Sequence, residues 1–245
     1  MKLIEVGSSS EDSSLEYIGE DVSELCFDDV YSYTSHFKKV CIHKTIFYAS
    51  DLKTLLPGRW LNDKIINFYF ELLGRFHKQS YYFSTFVYPM IIEKSTEELA
   101  ELFSTVDFSR YRSFFVPIHA DSHWSLVKIQ DNLLIGYDSM AEVAYGKILK
   151  IKEFYANVIL ERSNENVGFY LRHTRGKIPR QSNGDDCGVF CCAYAKYYAA
   201  DDSNYFCFST HDIPRIRRQM LHEILSGRIL YYGEALPHSK PSTGT

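Results

Sequence analysis

The sequence contains no apolar run approaching the roughly 18 residues that a membrane-spanning helix requires. Its first residues also lack the basic and then apolar pattern of a secretion signal, so we expect a soluble protein that is not secreted. Basic charge is not in excess, because 27 Lys and Arg stand against 31 Asp and Glu. Nucleic-acid binding depends on such an excess to neutralise phosphates. We therefore expect neither a membrane nor a nucleic-acid partner.

Cysteine is sparse, with six residues in 245. Disulfide frameworks belong to short secreted domains, so we expect free thiols in a reducing compartment. The sequence also lacks the paired C-x-x-C spacing of zinc sites, a P-loop and a dinucleotide-binding glycine pattern. An alternative set of metal ligands is Cys187, Cys191 and Cys192 with His211 or His173. Three cysteines within one helix do not all face one ion, so we expect no metal and no other cofactor.

Apolar and aromatic residues are plentiful. The hydrophobic fraction of 45%, with 19 Tyr and 17 Phe, is sufficient for a packed core and excludes wholesale disorder. The first thirty residues instead hold nine acidic residues and a single lysine, interspersed with serines. This composition predicts an acidic, Ser-bearing leader over residues 1–40 that is flexible at its start. One domain should follow over residues 41–232, and residues 233–245 should form a short tail.

The spacing of apolar residues predicts four helices. The first follows residues 60–63, and either Asn62 or Asp63 is a suitable N-cap. Two further helices are expected over about 148–162 and 212–229. The fourth begins close to Cys187, which should therefore lie in a first helical turn.

Short β-favouring runs at residues 114–118, 124–129 and 133–137 predict a sheet, with a hairpin turn at residues 130–132. His123 then begins one strand and Asp138 follows its neighbour. The two ends of an antiparallel pair lie side by side, so these residues should come within hydrogen-bonding distance. That geometry suits a catalytic base and the carboxylate that orients it. His119 is the rival base.

Cys187 is the candidate nucleophile. A cysteine thiol is mostly protonated at neutral pH, since its ordinary pKa is about 8.5, and only the thiolate is nucleophilic. A helix N-terminus and an adjacent imidazolium both favour the anion. The absence of a Cβ at Gly188 should leave room for a substrate carbonyl and let backbone amides face the oxyanion. Considered alone, a free cysteine is most often a small buried residue.

Two further residues complete a catalytic set. An aspartate bound to one ring nitrogen of His123 would fix its tautomer and leave the other nitrogen for the thiol. Gln181, in the loop over residues 178–184, could donate its amide to the oxyanion. Together Cys187, His123, Asp138 and Gln181 predict a cysteine protease.

Four stretches of the chain, in order, resemble the ubiquitin-like-protein-specific cysteine proteases, the sentrin/SUMO protease family of the Ulp/SENP type. They are GRWLND at residues 58–63 with INFY at 66–69, VPIH through HWSL at 116–126, YDSM at 137–140, and IPRQSNGDDCGVF at 178–190. The resemblance covers residues 44–230. It implies an α+β papain-like fold, with a central mixed sheet flanked by helices, and the same four catalytic residues.

The resemblance also implies substrate contacts. Members of the family pass the Gly-Gly tail of the modifier through a tunnel between two tryptophans, which match Trp60 and Trp124. Only glycine lacks a side chain that would collide with the indole walls. By the same similarity Asp63 pairs with an arginine of the modifier, and His119 and Phe86 line the modifier surface.

The resemblance predicts a monomeric SUMO-specific thiol protease that cleaves after Gly-Gly, both as an isopeptidase and as a C-terminal hydrolase, in the nucleus or cytoplasm. Its partners would be SUMO or another ubiquitin-like protein and their conjugates. The chain departs from the family pattern in three places: a short hairpin between His123 and Asp138, a poor match over residues 93–113, and Arg180 in place of a second glutamine. The first two leave the modifier preference open, rather than the catalysis. The alternatives are a protease for a Nedd-type or other modifier, an inactive modifier-binding module, and a viral or bacterial maturation protease. We would not expect that last class to keep residues 60–63.

Overall fold

The computed structural model describes residues 15–17, 39–160, 169–174, 178–200 and 208–230. Its strands are β1 (Leu15–Tyr17), β2 (Lys39–Ile42), β3 (Thr45–Tyr48), β4 (Ser80–Tyr82), β5 (Ser113–Ala120), β6 (His123–Gln130), β7 (Leu133–Tyr137) and β8 (Tyr170–His173). Its α-helices are α1 (Ala49–Lys53), α2 (Asp63–Phe76), α3 (Val87–Glu93), α4 (Thr96–Leu102), α5 (Tyr145–Phe154), α6 (Cys187–Ala200) and α7 (Ile213–Ser226). Short 3-10 turns lie at Phe108–Arg110 and Thr210–Asp212, and a π-helical turn at Tyr155–Ile159 continues α5.

The central sheet has five strands in the order β4-β5-β6-β7-β8. The middle three are antiparallel to one another, whereas β4 and β8 run parallel to their neighbours. A mixed sheet with helices confirms the predicted α+β class. A second sheet has the order β1-β2-β3, and its strand β1 lies within the stretch that composition assigned to a leader.

Both hairpins of the central sheet turn on two residues, Asp121-Ser122 and Asp131-Asn132. All four have positive φ, between 48° and 61°. Positive φ at both positions is type I′ geometry, which matches the twist of the flanking strands, and Asp and Asn tolerate it best among residues with a side chain. The predicted hairpin between β6 and β7 is confirmed. Its open end carries His123 and Asp138.

Alternate side chains of the central strands enter two different cores, as expected when successive residues of a strand face opposite sides. Phe115, Leu126 and Tyr137 face the core built with α2, α6 and α7. Phe114 and Val127 face the other core, which includes α3 and α5. The sheet is therefore flanked by helices on both sides, and the first core contains Cys187.

The predicted helices are present, with shifted ends. Asn62 caps α2 by accepting from the Ile65 amide at 3.0 Å, as one of the two suggested caps. The helix expected over 148–162 begins earlier, at Tyr145, and passes into the π turn. The helix expected over 212–229 ends at Ser226, because Gly227 adopts a φ of +65° and terminates it. α6 begins at Cys187, as predicted.

The tail over residues 233–245 and most of the leader lie outside the described residues, so those domain boundaries stay predictions. Within the described part of the chain, no helix has both the length and the apolarity needed to cross a membrane.

Candidate active site

The structure brings together three of the predicted catalytic side chains from different elements. His123 is the first residue of β6, Asp138 follows β7 directly, and Cys187 is the first residue of α6. His123 Nε2 lies 2.8 Å from Asp138 Oδ1. Cys187 is hydrogen-bonded to the same imidazole. One ring nitrogen therefore faces the carboxylate, which leaves the other for the thiol.

The electrostatics of His123 favour its charged form. The hydrogen bond to Asp138, followed by the hydrogen bond to Cys187, raises the pKa of His123 from 6.5 to about 9, although burial opposes the change. Burial by itself would raise the pKa of Asp138, but hydrogen bonds from His123, Met140 and Ala141 outweigh it and lower that pKa. At neutral pH His123 is thus positively charged and lies between the Asp138 carboxylate and Cys187, and an adjacent imidazolium is the arrangement that activates a cysteine nucleophile.

Gly188 has a packing role that was not expected from the sequence. A Cβ there would come within 2.9 Å of Leu61 Cβ and 3.3 Å of Trp124 Cδ1. The first of these distances is shorter than side chains accept without moving. The glycine therefore lets α6 approach Leu61 and the indole of Trp124 closely. The room it was expected to leave for a substrate carbonyl stays a prediction.

Gln181 is held in a defined orientation beside the carboxylate. Its Oε1 accepts from the Ser139 hydroxyl at 2.5 Å, and its Nε2 donates to the Asn183 carbonyl at 2.6 Å. Its backbone amide also donates to the Ser139 carbonyl. A primary amide carries two N–H groups, so the contact with Asn183 leaves one for a bound substrate. Ser139 follows Asp138 in the chain, so one tight turn orients both the carboxylate and the amide.

The two tryptophans lie in different environments. Trp124, next to His123, is only 6% exposed and packs against Gly188, whereas Trp60 is 52% exposed. His119 is exposed, and its ring centroid lies 4.3 Å from that of Trp124. His119, the alternative candidate for the base, therefore packs at a tilt against an indole, whereas His123 is hydrogen-bonded to the Asp138 carboxylate.

The remaining candidate contact residues are available to a partner. Asp63 is exposed at the start of α2, and Phe86 is 52% exposed before α3. Asn67 of α2 joins the two regions, since its amide donates to the Thr85 hydroxyl at 2.9 Å and its carbonyl accepts from the Thr85 backbone at 2.8 Å. Phe86 is thus fixed relative to the helix that carries Asp63.

Among the described residues, no group of three or more His, Cys, Asp or Glu side chains is arranged to hold a metal ion. The alternative metal site at Cys187, Cys191 and Cys192 therefore has no support from the geometry. The Cys191 thiol lies 3.6 Å from the Ser125 carbonyl in the core. The His211 side chain is exposed, and the His173 side chain lies outside the description.

Sequence reasoning missed the support behind these residues. Arg217, on α7, is 1% exposed and binds the carboxylate of Asp186, the residue immediately before Cys187. A signal was present, because Arg217 lies four residues after Ile213 and three before Met220, on the apolar face of the helix. A charged residue at such a position indicates a buried ion pair.

The chain matches the family model described as the Ulp1 protease family, C-terminal catalytic domain, over residues 59–229. It is 32% identical to human sentrin-specific protease 2 over 191 residues, covering 74% of this chain and 32% of that protein. It is 28% identical to mouse sentrin-specific protease 5 over 197 residues, covering 78% and 26%. The chain thus spans about a third of the length of the curated relatives it matches.

Solved structures of the same family have the same fold as this chain. The C-terminal Ulp1 protease domain, in complex with Smt3, the yeast ortholog of SUMO, matches with a TM-score of 0.70 and 25% identity, covering 85% of this chain and 99% of that one. The catalytic domain of the Chaetomium thermophilum Ulp1-like SUMO protease shares the fold at 20% identity, with a TM-score of 0.69, covering 88% and 96%. Both confirm the predicted SUMO-protease fold, and the family match establishes that the chain belongs to the Ulp1 family of cysteine proteases.

Proposed function

We propose that this protein is a SUMO-specific thiol protease that cleaves after the C-terminal Gly-Gly of SUMO, both to release conjugated SUMO and to mature its precursor. The observation that carries the proposal is the position of His123 between Asp138 and Cys187, directly beside Trp124. The resemblance to a Ulp1 domain bound to Smt3 supports SUMO as the partner.

In the proposed mechanism, the Cys187 thiolate attacks the carbonyl carbon of the terminal glycine. The developing oxyanion accepts hydrogen bonds from Gln181 and from the backbone amide of Cys187. His123 gives its proton to the departing amine, and the C–N bond breaks to leave a thioester. The neutral imidazole then takes a proton from water, which attacks the thioester and frees the carboxylate and the thiol. No step requires a cofactor.

We assign substrate selection to the indoles. Trp124 is fixed by its packing against Gly188, and Trp60 is exposed enough to close over a bound tail. An extended Gly-Gly segment fits between two such rings, whereas any Cβ would meet them. Asp63 and Phe86, exposed on adjacent elements, would contact the folded part of the modifier, with His119 beside the tail.

The test is a panel of SUMO, Nedd8 and ubiquitin probes that carry a C-terminal vinyl sulfone, together with a SUMO precursor and an isopeptide-linked SUMO conjugate. We expect SUMO vinyl sulfone to form an adduct at Cys187 and both SUMO substrates to be cleaved. Preferential labelling by Nedd8 would instead favour the Nedd-type alternative. Binding of SUMO without an adduct would indicate an inactive binding module.

The remaining expectations belong to the same proposal. The catalytic unit would span residues 41–232 and act as a monomer, with the acidic leader and the tail outside it. The expectation of activity in the nucleus or cytoplasm comes from the family resemblance. Fractionation of cells that express the chain, combined with size-exclusion chromatography of the purified protein, would test both expectations.

A further inference from the structure

Arg217 is a charged residue in the core of the molecule. It is 1% exposed and lies on the inward face of α7, whose other buried residues are largely apolar. Its Nε and Nη2 donate to Asp186 Oδ1 at 2.9 and 2.6 Å. Both bonds end on the same carboxylate oxygen, while Asp186 Oδ2 accepts from the Asn183 side chain. A buried arginine is retained only when its donors are satisfied.

The remaining donors of Arg217 reach four backbone carbonyls in two segments of the chain. Nη1 donates to Thr54 and Leu56, each at 3.1 Å, and Nη2 to Arg59 at 2.8 Å and Asp185 at 3.1 Å. The five N–H groups of the guanidinium thus make six contacts, because Nη2 shares its two N–H groups among Asp186, Arg59 and Asp185.

The two segments end at the residues that the proposed mechanism needs. Residues 54–59 lead directly into Trp60, and residues 185–186 lead directly into Cys187. Asp186 also precedes α6 directly, and its carbonyl accepts the first hydrogen bond of that helix, from the Phe190 amide at 3.0 Å. Arg217 is therefore the side chain that joins the backbone of the exposed tryptophan to the backbone of the nucleophile.

Charge gives Arg217 a second effect on the thiolate. Two carboxylates, Asp185 and Asp186, immediately precede Cys187, and negative charge nearby disfavours an anionic sulfur. From the sheet the thiol faces His123 and, behind it, Asp138, while Cys191 lies one turn along α6. The guanidinium offsets the negative charge of the Asp186 carboxylate with which it pairs.

We propose that Arg217 is a positioning residue that aligns the Trp60 segment with Cys187 and shields the Cys187 thiolate from Asp186. The inference rests on the proposed function only for the role of Trp60. The effect on the thiolate is a property of the free protein.

A second buried ion pair in the same core supplies a matched control. Glu223, on the same helix and 0% exposed, binds Lys196 and Tyr69. It also accepts from the Gln219 side chain and the Leu230 backbone. None of these four partners belongs to residues 54–59 or 185–186. Glu223→Gln should therefore weaken the core without acting on the nucleophile.

The experiment measures the rate at which iodoacetamide labels Cys187 as a function of pH, quantified by mass spectrometry of the peptide that contains it. The proteins are the unchanged chain, Arg217→Gln, Arg217→Lys, Asp186→Asn, the Arg217→Gln/Asp186→Asn double variant and Glu223→Gln, each at a temperature where circular dichroism shows it folded. Labelling requires no substrate, so it is independent of the identity of the modifier.

We expect Arg217→Gln to move the midpoint of labelling to higher pH by about one unit, which is about tenfold slower labelling on the acid side. Asp186→Asn should move it to lower pH, and the double variant should return it close to the original midpoint. Arg217→Lys keeps the charge but cannot reach both segments. Its midpoint should stay near the original, while kcat for the SUMO precursor falls about tenfold or more and KM changes little.

Coincident profiles for the unchanged chain, Arg217→Gln and Asp186→Asn would overturn the proposal. An equal shift in Glu223→Gln would do the same, because the effect would then follow from loss of core stability. If Arg217→Gln fails to fold, the labelling profile of Asp186→Asn provides the test. A labelling midpoint that does not move in that variant contradicts the proposed shielding.

Discussion

The first and second turns of α6 carry the same residue type in different chemical settings. Cys187 is 2% exposed and Cys191 is 1% exposed, so burial does not distinguish them. Cys187 is hydrogen-bonded to a charged imidazole. Cys191 meets a backbone carbonyl, and burial, reinforced by Cys187 and Asp138, raises its pKa. We therefore expect the partner of a buried thiol, rather than its exposure, to determine whether it can act as a nucleophile.

Replacing each cysteine by alanine is the most direct way to break this comparison. Cys187→Ala should reduce kcat/KM for a SUMO precursor by about 10⁵-fold or more, because no other group can form the thioester. Cys191→Ala should leave kcat/KM within roughly threefold and lower the unfolding temperature only slightly. Steady-state kinetics on both variants provides the measurement. Equal losses would remove the distinction between the two turns.

Asp138→Asn removes the hydrogen bond that contributes most to the charged state of His123. Cys187 would then, like Cys191, lack a charged imidazole as its partner. We expect kcat to fall by roughly 10³–10⁴-fold, as when the orienting carboxylate is lost from other triads. The pH profile also changes in a defined direction. With the pKa of His123 at about 9, activity should decline as pH rises through that value. In Asp138→Asn the decline should move to lower pH, toward 6.5.

A contrary result would be an Asp138→Asn profile whose alkaline limb stays near pH 9. Cys187, rather than the carboxylate, would then be the main support of the imidazolium. Glu153→Gln, which removes an exposed acid of α5 that pairs with Lys150, serves as the control for a change of net charge.

Gln181→Ala tests whether the first turn also depends on oxyanion stabilisation. Removing one donor from an oxyanion hole lowers kcat by about 10²–10³-fold. We expect a loss in that range with little change in KM, and an unchanged iodoacetamide labelling profile, because the amide acts on the substrate rather than on the thiol. A loss confined to KM would assign Gln181 to binding alone.

Gly188→Ala should have the smallest effect on chemistry and a measurable one on packing. The added methyl group meets Leu61 and Trp124, and overpacking of this kind costs about 1–3 kcal/mol of unfolding free energy. Gly184→Ala is the matched control, since a Cβ there meets nothing within 4 Å. Urea denaturation of both variants gives the difference. Equal stabilities would mean that α6 shifts to accept the methyl group without strain.

Local features of this fold are readable from sequence because each depends on neighbouring residues. The hairpin follows from Asp131-Asn132 between two β-favouring runs, and the start of α2 follows from Asn62. The proximity of His123 and Asp138 is a consequence of the same hairpin. The four catalytic candidates could therefore be proposed from short motifs and from a family resemblance.

Features that depend on distant residues were not readable. Arg217 contacts carbonyls 158 to 163 residues earlier in the chain. No local sequence pattern predicts which residues meet over such a separation. The packing role of Gly188 depends on Leu61 in the same way, and so does the unequal exposure of Trp60 and Trp124. The parallel pairing of β4 and β8 at the sheet edges also joins residues that are far apart in sequence.

The turn at Asp131-Asn132 lies at the opposite end of β6 from His123. An eight-residue strand spans about 26 Å, so this tip is remote from the thiol and from the indoles. A fluorescent-protein or affinity-tag insertion between Asp131 and Asn132 is therefore a practical route to a reporter enzyme. Because the tip is remote from the thiol, we expect such a fusion to keep its turnover.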